Sequence, residues 1–369
     1  MKSHCILLAI LMVVLLIPGL LVVVPSLRGE DLFGVQKVDL REKSAMSLLL
    51  DKKDEIEDFA KQHVGFCNYG VRFYNELNYR IFNYSSAPKL ILGKKDNFYE
   101  NIYINEYMGQ DFVGEDAIRK NVQLLKRMQD SLDRRGKKLL VVLEPGKVRF
   151  MPENLPMGCS KGIQTNYDTY LFYCQKYGVE FLNLNRYFCE NKERVAYPLY
   201  SRHGIHWTTY GMWLAADTLQ HFIERECRVR LPQIKHVGDS ISDKNSDLDF
   251  DLEPPMNLWM KLKHEKLCFP MMEFSKESCP KLKLFLVADS YAWSLWDKGV
   301  FAHWFDEPEF WYYNNLVYPN IWGPNAVYAN KNNLPQIVEE KDVILIMITD
   351  ANLKNFSWGF LNELSKILR

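Results

Sequence analysis

Short apolar runs alternate with amphipathic segments along most of the chain beyond residue 85. The apolar runs have the length of buried strands and cover residues 89–92, 138–143, 179–184, 283–287 and 343–348. The segments between them repeat apolar residues at helical spacing, most clearly over 117–135, 165–177 and 209–225. This alternation predicts an α/β fold with a mostly parallel sheet covered by helices on both faces, a three-layer α/β/α arrangement.

Two parts of the chain depart from this alternation. Residues 26–84 are mixed in character and carry helical spacing between Asp51 and Asn75, which predicts a helical stalk or lead-in. Residues 228–282 contain Pro254-Pro255 and an acidic run, with little periodicity. We interpret them as a long insertion in a domain that covers residues 85–369, and not as a separate domain.

The amino terminus contains an uncharged apolar segment from Cys5 to Val24. About 20 such residues cross the hydrocarbon core of a bilayer as a helix. The sequence Val24-Pro25-Ser26 is a poor cleavage site, so a retained signal anchor over residues 1–25 is favoured over a cleaved signal peptide. We therefore expect an inner-membrane protein with one span, whose main domain lies in the periplasm or otherwise outside the cytoplasm.

Composition and charge exclude two classes of protein. The chain has 46 Lys and Arg against 46 Asp and Glu, which argues against a nucleic-acid binder that relies on a basic surface. Hydrophobic residues make up 47%, which excludes wholesale disorder. Aromatic residues are abundant at 14%, and the tract Trp304, Phe305, Trp311, Tyr312, Tyr313 and Trp322 fits either a sugar-stacking surface or core packing.

The cysteines give no metal signature. No C-x-x-C pair occurs, so a zinc site is not expected. In an exported domain Cys268 and Cys279 are the best candidates for a disulfide, because they flank a short irregular stretch. Scattered buried thiols are the alternative.

Two serines compete as a nucleophile. Ser290 directly follows the apolar run 284–287 and precedes a segment that can begin a helix. A tight strand-to-helix turn of this kind exposes a serine hydroxyl and places backbone N–H groups beside it. Ser240 follows a poorer strand and precedes a polar loop, so Ser290 is favoured.

A histidine at the start of a helix is the matching base. His206 precedes Trp207, and Thr208 or Thr209 can cap the helix that follows. His203 is the nearest competitor. Taken alone, a histidine packed on a tryptophan has a structural explanation, and only its pairing with a serine after a strand favours catalysis.

The order of several motifs resembles the periplasmic alginate O-acetyltransferase family. The matching segments span about residues 85–350 and comprise 90–99, 103–109, 144–156, 197–200 with His206-Trp207, 251–262 and 288–291. The resemblance implies a circularly permuted SGNH-hydrolase-like domain, also described as flavodoxin-like. It implies that Ser290 is the nucleophile, that His206 is its base, and that no metal or soluble cofactor is needed.

One position departs from the family. The family has an acidic residue two positions before the histidine, and this chain has Gly204 there. Three explanations stay open: another acid such as Asp350 or Asp289 replaces it, a Ser–His dyad operates without an acid, or the site is inactive. Trp207, Tyr291, Trp293 and Lys147 adjoin the matching segments and are the expected substrate contacts.

The resemblance implies an O-acetyltransferase that acts on a polysaccharide through an acyl-enzyme. A membrane-bound O-acyltransferase is the implied acetyl donor and partner. Two alternatives stay open, namely an acetyl esterase that uses the same residues and a non-catalytic polysaccharide-binding scaffold.

Overall fold

The computed structural model describes residues 11–12, 30–35, 67–243, 248–276, 279 and 281–368. The predicted anchor over residues 1–25, apart from Leu11 and Met12, and most of the lead-in lie outside these ranges. Within them, no helix combines the length and the apolar character needed to cross a bilayer. The chain forms two compact units, Met1–Leu90 with Leu252–Lys263, and Ile91–Asp251 with His264–Arg369.

The smaller unit contains helix α1 (Cys67–Phe82) and a short 3₁₀ turn (Pro254–Met256). The Asn75 side chain donates a hydrogen bond of 2.9 Å to the Met256 carbonyl, and Arg72 donates one of 3.0 Å to the Leu258 carbonyl. Part of the predicted insertion, Leu252–Lys263, therefore packs against the helix of the lead-in and belongs to the smaller unit.

The larger unit holds the remaining helices and nearly all strands. The strands are β1 (Leu90–Leu92), β2 (Phe98–Glu100), β3 (Lys138–Glu144), β4 (Phe181–Asn183), β5 (Ile234–Ser242), β6 (Leu267–Phe274), β7 (Leu282–Ala288), β8 (Phe305–Tyr312), β9 (Leu316–Val317) and β10 (Val343–Thr349). The helices are α2 (Asn101–Tyr107), α3 (Glu115–Asp133), α4 (Lys147–Phe150), α5 (Asn166–Lys176), α6 (Leu184–Asn191), α7 (Thr209–Cys227), α8 (Ala292–Asp297), α9 (Val300–Trp304), α10 (Leu334–Glu340) and α11 (Phe360–Ile367).

The central sheet has the order β4-β3-β10-β7-β8-β9. Every pair is parallel except β8 with β9. In the register, Thr349 lies beside Glu144, and Met347 lies beside Ala288. The carboxyl ends of β3, β10 and β7 therefore meet at one edge, where α/β sheets place their ligands.

Helices cover both faces of this sheet. One face packs Ile344, Ile346 and Ile348 of β10 against apolar residues of α3, α5 and α11. The alternate residues Leu345 and Met347 are equally buried, so the opposite face is covered as well. The strands are apolar along their whole length because both faces are buried.

The predicted strands and the three long helices are confirmed, with bounds that shift by three residues at most. The prediction missed β2, β8 and β9. β8 mixes its aromatic residues with acidic residues and a proline, while β2 and β9 are only three and two residues long. The predicted irregular insertion instead contains an antiparallel hairpin of β5 and β6. Cys268 and Cys279 are free thiols, so the candidate disulfide is not formed.

Candidate active site

Ser290 lies on the turn between β7 and α8, at the carboxyl edge of the sheet. The preceding residue, Asp289, fixes this turn to the end of β10. Its carboxylate accepts hydrogen bonds from the Thr349 backbone N–H at 2.9 Å, the Thr349 hydroxyl at 2.8 Å and the Asn352 amide at 2.8 Å. It also accepts one of 3.2 Å from the Tyr291 N–H within the turn. Asp289 therefore holds the serine in position.

His206 lies in the loop that leads into α7, with its ring almost fully buried. Its Nε2 atom is 2.8 Å from the Ser290 Oγ atom, within the hydrogen-bond reach that a general base needs. The next residue secures the loop, because the Trp207 indole donates a hydrogen bond of 2.7 Å to the Ser294 hydroxyl on α8. The competing histidine, His203, is buried elsewhere, and its Nε2 atom contacts Asp96 at 3.0 Å.

The other ring nitrogen of His206 faces Asp251. The Nδ1 atom is 2.5 Å from Asp251 Oδ2, and Asp251 Oδ1 accepts a hydrogen bond of 2.8 Å from the Ile205 N–H. A carboxylate accepts a hydrogen bond from Nδ1–H, so the network assigns the free lone pair to Nε2, beside the serine hydroxyl. Burial lowers the pKa of His206, but the Asp251 carboxylate outweighs it, and the net shift is upward from 6.5.

The structure corrects the two acids considered for this role. Asp350 is buried, and its carboxylate pairs with the Arg149 guanidinium at 3.3 Å and accepts a hydrogen bond of 2.9 Å from the Ala351 N–H. The Asp289 carboxylate is directed to the end of β10. Both residues follow strands, as expected, but their carboxylates are occupied by the backbone and by other side chains.

The backbone around Gly204 leaves no room for a side chain. A Cβ atom at this position would lie 2.4 Å from the Asp249 carbonyl oxygen and 2.8 Å from the Ser201 hydroxyl. The segment that carries Asp249 and Asp251 packs closely against the histidine loop, and the acid that contacts His206 lies 45 positions further along the chain. This close approach is the physical reason for the glycine.

Lys147 holds the loop that precedes His206 through hydrogen bonds to its backbone. Its side chain is fully buried, and its ammonium donates hydrogen bonds to the carbonyls of Phe98 at 2.9 Å, Arg202 at 2.7 Å and Gly204 at 2.8 Å. Burial lowers the pKa of Lys147 to about 7. Only the charged form supplies three donors, so the three carbonyls favour the ammonium. The predicted substrate contact is wrong for Lys147, since all three donors are used inside the protein.

Of the aromatic residues that were expected to contact substrate, some lie in the core and others are partly exposed. Trp207 and Tyr291 are buried, and Tyr291 donates a hydrogen bond of 2.6 Å to the Ile205 carbonyl, so neither side chain faces a substrate. In the aromatic tract, Trp304, Phe305 and Trp311 belong to the core. Trp293 is partly buried, and its ring centroid lies 6.2 Å from that of His206.

A second carboxyl group lies under the serine turn. Glu144 ends β3, is fully buried, and neither of its oxygens accepts a hydrogen bond from the described residues. Burial, and then the neighbouring Asp289 carboxylate, raise the pKa of Glu144 well above its usual range. A carboxylate that is buried without a hydrogen bond beside another acidic residue is costly, so burial favours the protonated, neutral form of Glu144.

The fold and these contacts define a serine–histidine–aspartate arrangement at the carboxyl edge of an SGNH-hydrolase-like sheet. Residues 100–251 match the family model described as "SGNH hydrolase-like domain, acetyltransferase AlgX". The resemblance to the alginate O-acetyltransferase family is thereby confirmed. The matched region contains His206 and ends at Asp251, while Ser290 lies beyond it.

Two relatives support this result. The chain is 28% identical over 153 residues to the "Probable alginate O-acetylase AlgJ" of Pseudomonas syringae pv. tomato, which is 41% of this chain and 37% of that protein. The "O-Acetyltransferase Domain of Pseudomonas putida AlgJ" aligns in structure with a TM-score of 0.50 and 15% identity, over 76% of this chain and 99% of that domain. The structural likeness shows the shared fold. The sequence match to the Pseudomonas syringae protein spans little more than a third of that protein's length.

Proposed function

We propose that the protein is an O-acetyltransferase that carries an acetyl group on Ser290 and passes it to a polysaccharide hydroxyl. The continuous contact Ser290–His206–Asp251 is the observation that carries the proposal. A serine hydroxyl is a poor nucleophile at neutral pH and needs a base within hydrogen-bond reach. Both requirements of such a base, proximity and an orienting acid, are met at His206.

The first half of the proposed reaction forms the acyl-enzyme. His206 Nε2 removes the Ser290 hydroxyl proton while Oγ attacks the acetyl carbonyl of the donor ester. Asp251 stabilises the imidazolium, and the Ser290 backbone N–H donates to the developing oxyanion. The C–O bond to the donor then breaks, the departing alkoxide takes the proton from His206, and an acetyl ester remains on Oγ.

The second half transfers the acetyl group. A sugar hydroxyl enters beside the acetyl-serine, gives its proton to His206 Nε2, and attacks the acetyl carbonyl. The bond from carbon to Ser290 Oγ breaks, and the serine oxygen recovers the proton from the imidazolium. Atoms and charges balance without a metal or a soluble cofactor.

The cellular setting follows from the amino terminus and the family. We propose that residues 1–25 anchor the chain in the inner membrane and that the folded domain lies outside the cytoplasm, where the polysaccharide acceptor is found. The uncharged run from Cys5 to Val24 supports this placement. A membrane-bound O-acyltransferase is the proposed source of acetyl groups, because no cytoplasmic donor reaches that compartment unaided. Protease added to spheroplasts should digest the domain, and its protection would contradict this placement.

An acetyl-transfer assay tests the reaction type. The purified full-length protein is incubated with 4-nitrophenyl acetate, with and without oligosaccharide acceptors, and nitrophenol release is compared with acetylated sugar by mass spectrometry. Acetylated sugar that disappears in Ser290→Ala is the expected result. Nitrophenol release with no acetylated sugar for any acceptor would make the protein an esterase. The inactive-scaffold alternative rested on Gly204, and Asp251 supplies the acid that position lacks.

A further inference from the structure

A group of aromatic rings extends outward from the catalytic histidine. We call it the aromatic shelf, and it consists of Trp293, Tyr312, Tyr318 and Trp322. The Trp293 ring centroid lies 6.2 Å from His206, 5.8 Å from Trp322 and 5.9 Å from Tyr318. Trp293 and Tyr318 are nearly parallel, with an interplanar angle of 20°. The shelf therefore leads from the reacting atoms to the surface without a break.

The outer end of the shelf is open to solvent. Trp322 is 70% exposed, and the other three rings are partly exposed. Trp322 continues the partly exposed rings of Trp293, Tyr312 and Tyr318, so the shelf is a contiguous apolar surface beside the catalytic residues, as a ligand-binding surface is. Pyranose rings present flat C–H faces that pack on tryptophan faces, while their hydroxyl groups stay hydrated or bind polar neighbours.

Several carboxylates lie beside the shelf. The Tyr318 hydroxyl is 2.8 Å from both carboxylate oxygens of Asp297. At the end of the shelf next to His206, the carboxylates of Asp251, Glu100 and Asp289 all raise the pKa of the His206 ring. Glu100 also raises the pKa of Tyr312. Carboxylates accept hydrogen bonds from sugar hydroxyls but repel the carboxylates of a polyuronate such as alginate.

We infer that the aromatic shelf binds the polysaccharide acceptor, and that this acceptor is built from neutral sugars. One sugar ring stacks on Trp322 and the next lies over Trp293, which brings a hydroxyl group to the acetyl carried by Ser290. The inference rests on the proposed acetyl transfer, and it adds the class of acceptor and the surface that holds it. It departs from the uronate polymer in the names of the relatives.

A pair of matched variants tests the surface. Trp322→Ala removes the exposed ring of the shelf, and Tyr328→Ala removes a ring that is 69% exposed and lies outside the shelf. The full-length protein is assayed for acetyl transfer to neutral hexose oligomers and for hydrolysis of 4-nitrophenyl acetate. Trp322→Ala should lower the ratio of transfer to hydrolysis about tenfold, which corresponds to about 1.4 kcal/mol, through a higher KM for the oligomer. Tyr328→Ala should leave this ratio unchanged. Equal effects of both variants, or no effect of Trp322→Ala, would overturn the assignment of the shelf.

A panel of acceptors tests the charge argument. Wild-type protein is offered glucose, mannose and galactose oligomers, and a mannuronate oligomer of the same length. We expect transfer to at least one neutral oligomer with a kcat/KM at least tenfold above that for the mannuronate. Equal or better transfer to mannuronate, or no transfer to any neutral oligomer, would overturn the inference. An acetyl adduct on Ser290 in the same samples would show that the proposed acyl-enzyme survives such a result, whereas its absence would remove both proposals.

Discussion

His206 is held between a hydroxyl group and a carboxylate, and the geometry divides the work between its two nitrogens. Nδ1 faces Asp251 at 2.5 Å, so Nε2 is left to accept the Ser290 proton at 2.8 Å. The Asp251 carboxylate also keeps the pKa of the imidazole above its usual value despite burial. In the proposed reaction His206 must be neutral, so activity should rise as the pH passes through this raised pKa.

Asp251→Asn tests this division of work. The amide removes the charge that stabilises the imidazolium and leaves either tautomer possible, so kcat for 4-nitrophenyl acetate should fall roughly 10²–10⁴-fold. The acidic limb of the pH profile of kcat/KM should move to lower pH, because the charge that raises the pKa of His206 is gone. A pH profile with an unshifted acidic limb and full activity would contradict the assignment.

Glu144→Gln tests the buried carboxyl pair. Glu144 has a raised pKa in the folded protein, so its proton is kept on folding while the unfolded chain loses it above about pH 4.3. Wild-type stability should therefore fall as the pH rises from there towards the folded pKa, and the variant, which cannot ionise, should escape this loss. Urea unfolding should show similar stability at pH 4 and an advantage of at least about 1 kcal/mol for Glu144→Gln at pH 7.5. Parallel pH dependence of both proteins would contradict the prediction.

Residue patterns indicated the serine and the histidine but not the acid. Ser290 and His206 occupy positions that carry a local signal, a strand end and a helix start. Asp251 lies in a segment with little periodicity, 45 residues beyond the histidine, and only the folded backbone brings it to Nδ1. The acidic run that contains it was visible, but its contact with Ile205 N–H was not.

At the scale of elements, the site depends on how one loop is held between β2 and α7. The Lys147 ammonium joins the carbonyls of Phe98, Arg202 and Gly204, so it fixes the backbone two residues before His206. Trp207 fixes the other side through Ser294 on α8. The histidine is therefore positioned by contacts on both sides of it.

Lys147→Met tests whether the hydrogen bonds from Lys147 position the histidine loop. Methionine preserves most of the volume but leaves three buried carbonyls without donors, each of which costs about 1–3 kcal/mol if it stays dry. We expect a lower melting temperature and a fall in kcat of at least about tenfold, with little change in KM, because the histidine rather than substrate binding is disturbed. Lys147→Gln, which restores two donors, should recover part of both. A methionine variant with wild-type kcat would contradict the positioning role.

Gly204→Asp tests the relocated acid. Restoring the acidic residue of the family should not raise activity, because its Cβ would meet the Asp249 carbonyl at 2.4 Å. Overpacking of this kind costs typically about 1–3 kcal/mol, so thermal unfolding should occur at lower temperature and activity should fall. Gly204→Ala, with the same Cβ and no charge, is the control and should be destabilised comparably. Increased activity in Gly204→Asp would show that the loop accepts an acid there.

Elements with an aliphatic strand or an amphipathic helix pattern were predictable, and elements formed mainly of aromatic residues were not. The runs that became β3, β7 and β10 are apolar because both faces of the sheet are covered. β8 runs from Phe305 to Tyr312 with acidic residues and a proline among its rings, and it pairs at the side of β7. From the sequence its tract fitted either a surface or the core, and the structure places Trp304, Phe305 and Trp311 in the core.

At the scale of the whole larger unit, the candidate site is assembled where β3, β7 and β10 end together. Glu144, Ser290 and Asp350 come from or directly follow these strands, and Asp289 connects two of them. The fold therefore explains why residues far apart in sequence converge, and Ser290 lies at a strand end beside His206, where the sequence predicts the chemistry. The aromatic shelf continues from this edge to the surface.

Ser290 should carry the acetyl group during the reaction, and intact-mass analysis detects this acetyl-enzyme. Full-length protein is mixed with 4-nitrophenyl acetate, quenched in acid at short times and weighed, with Ser290→Ala and Ser240→Ala as matched variants. Ser240 lies exposed on β5, so its loss should change nothing. We expect one added acetyl group, on the peptide containing Ser290, in wild type and Ser240→Ala, and none in Ser290→Ala. An adduct that persists in Ser290→Ala, or that disappears in Ser240→Ala, would contradict it.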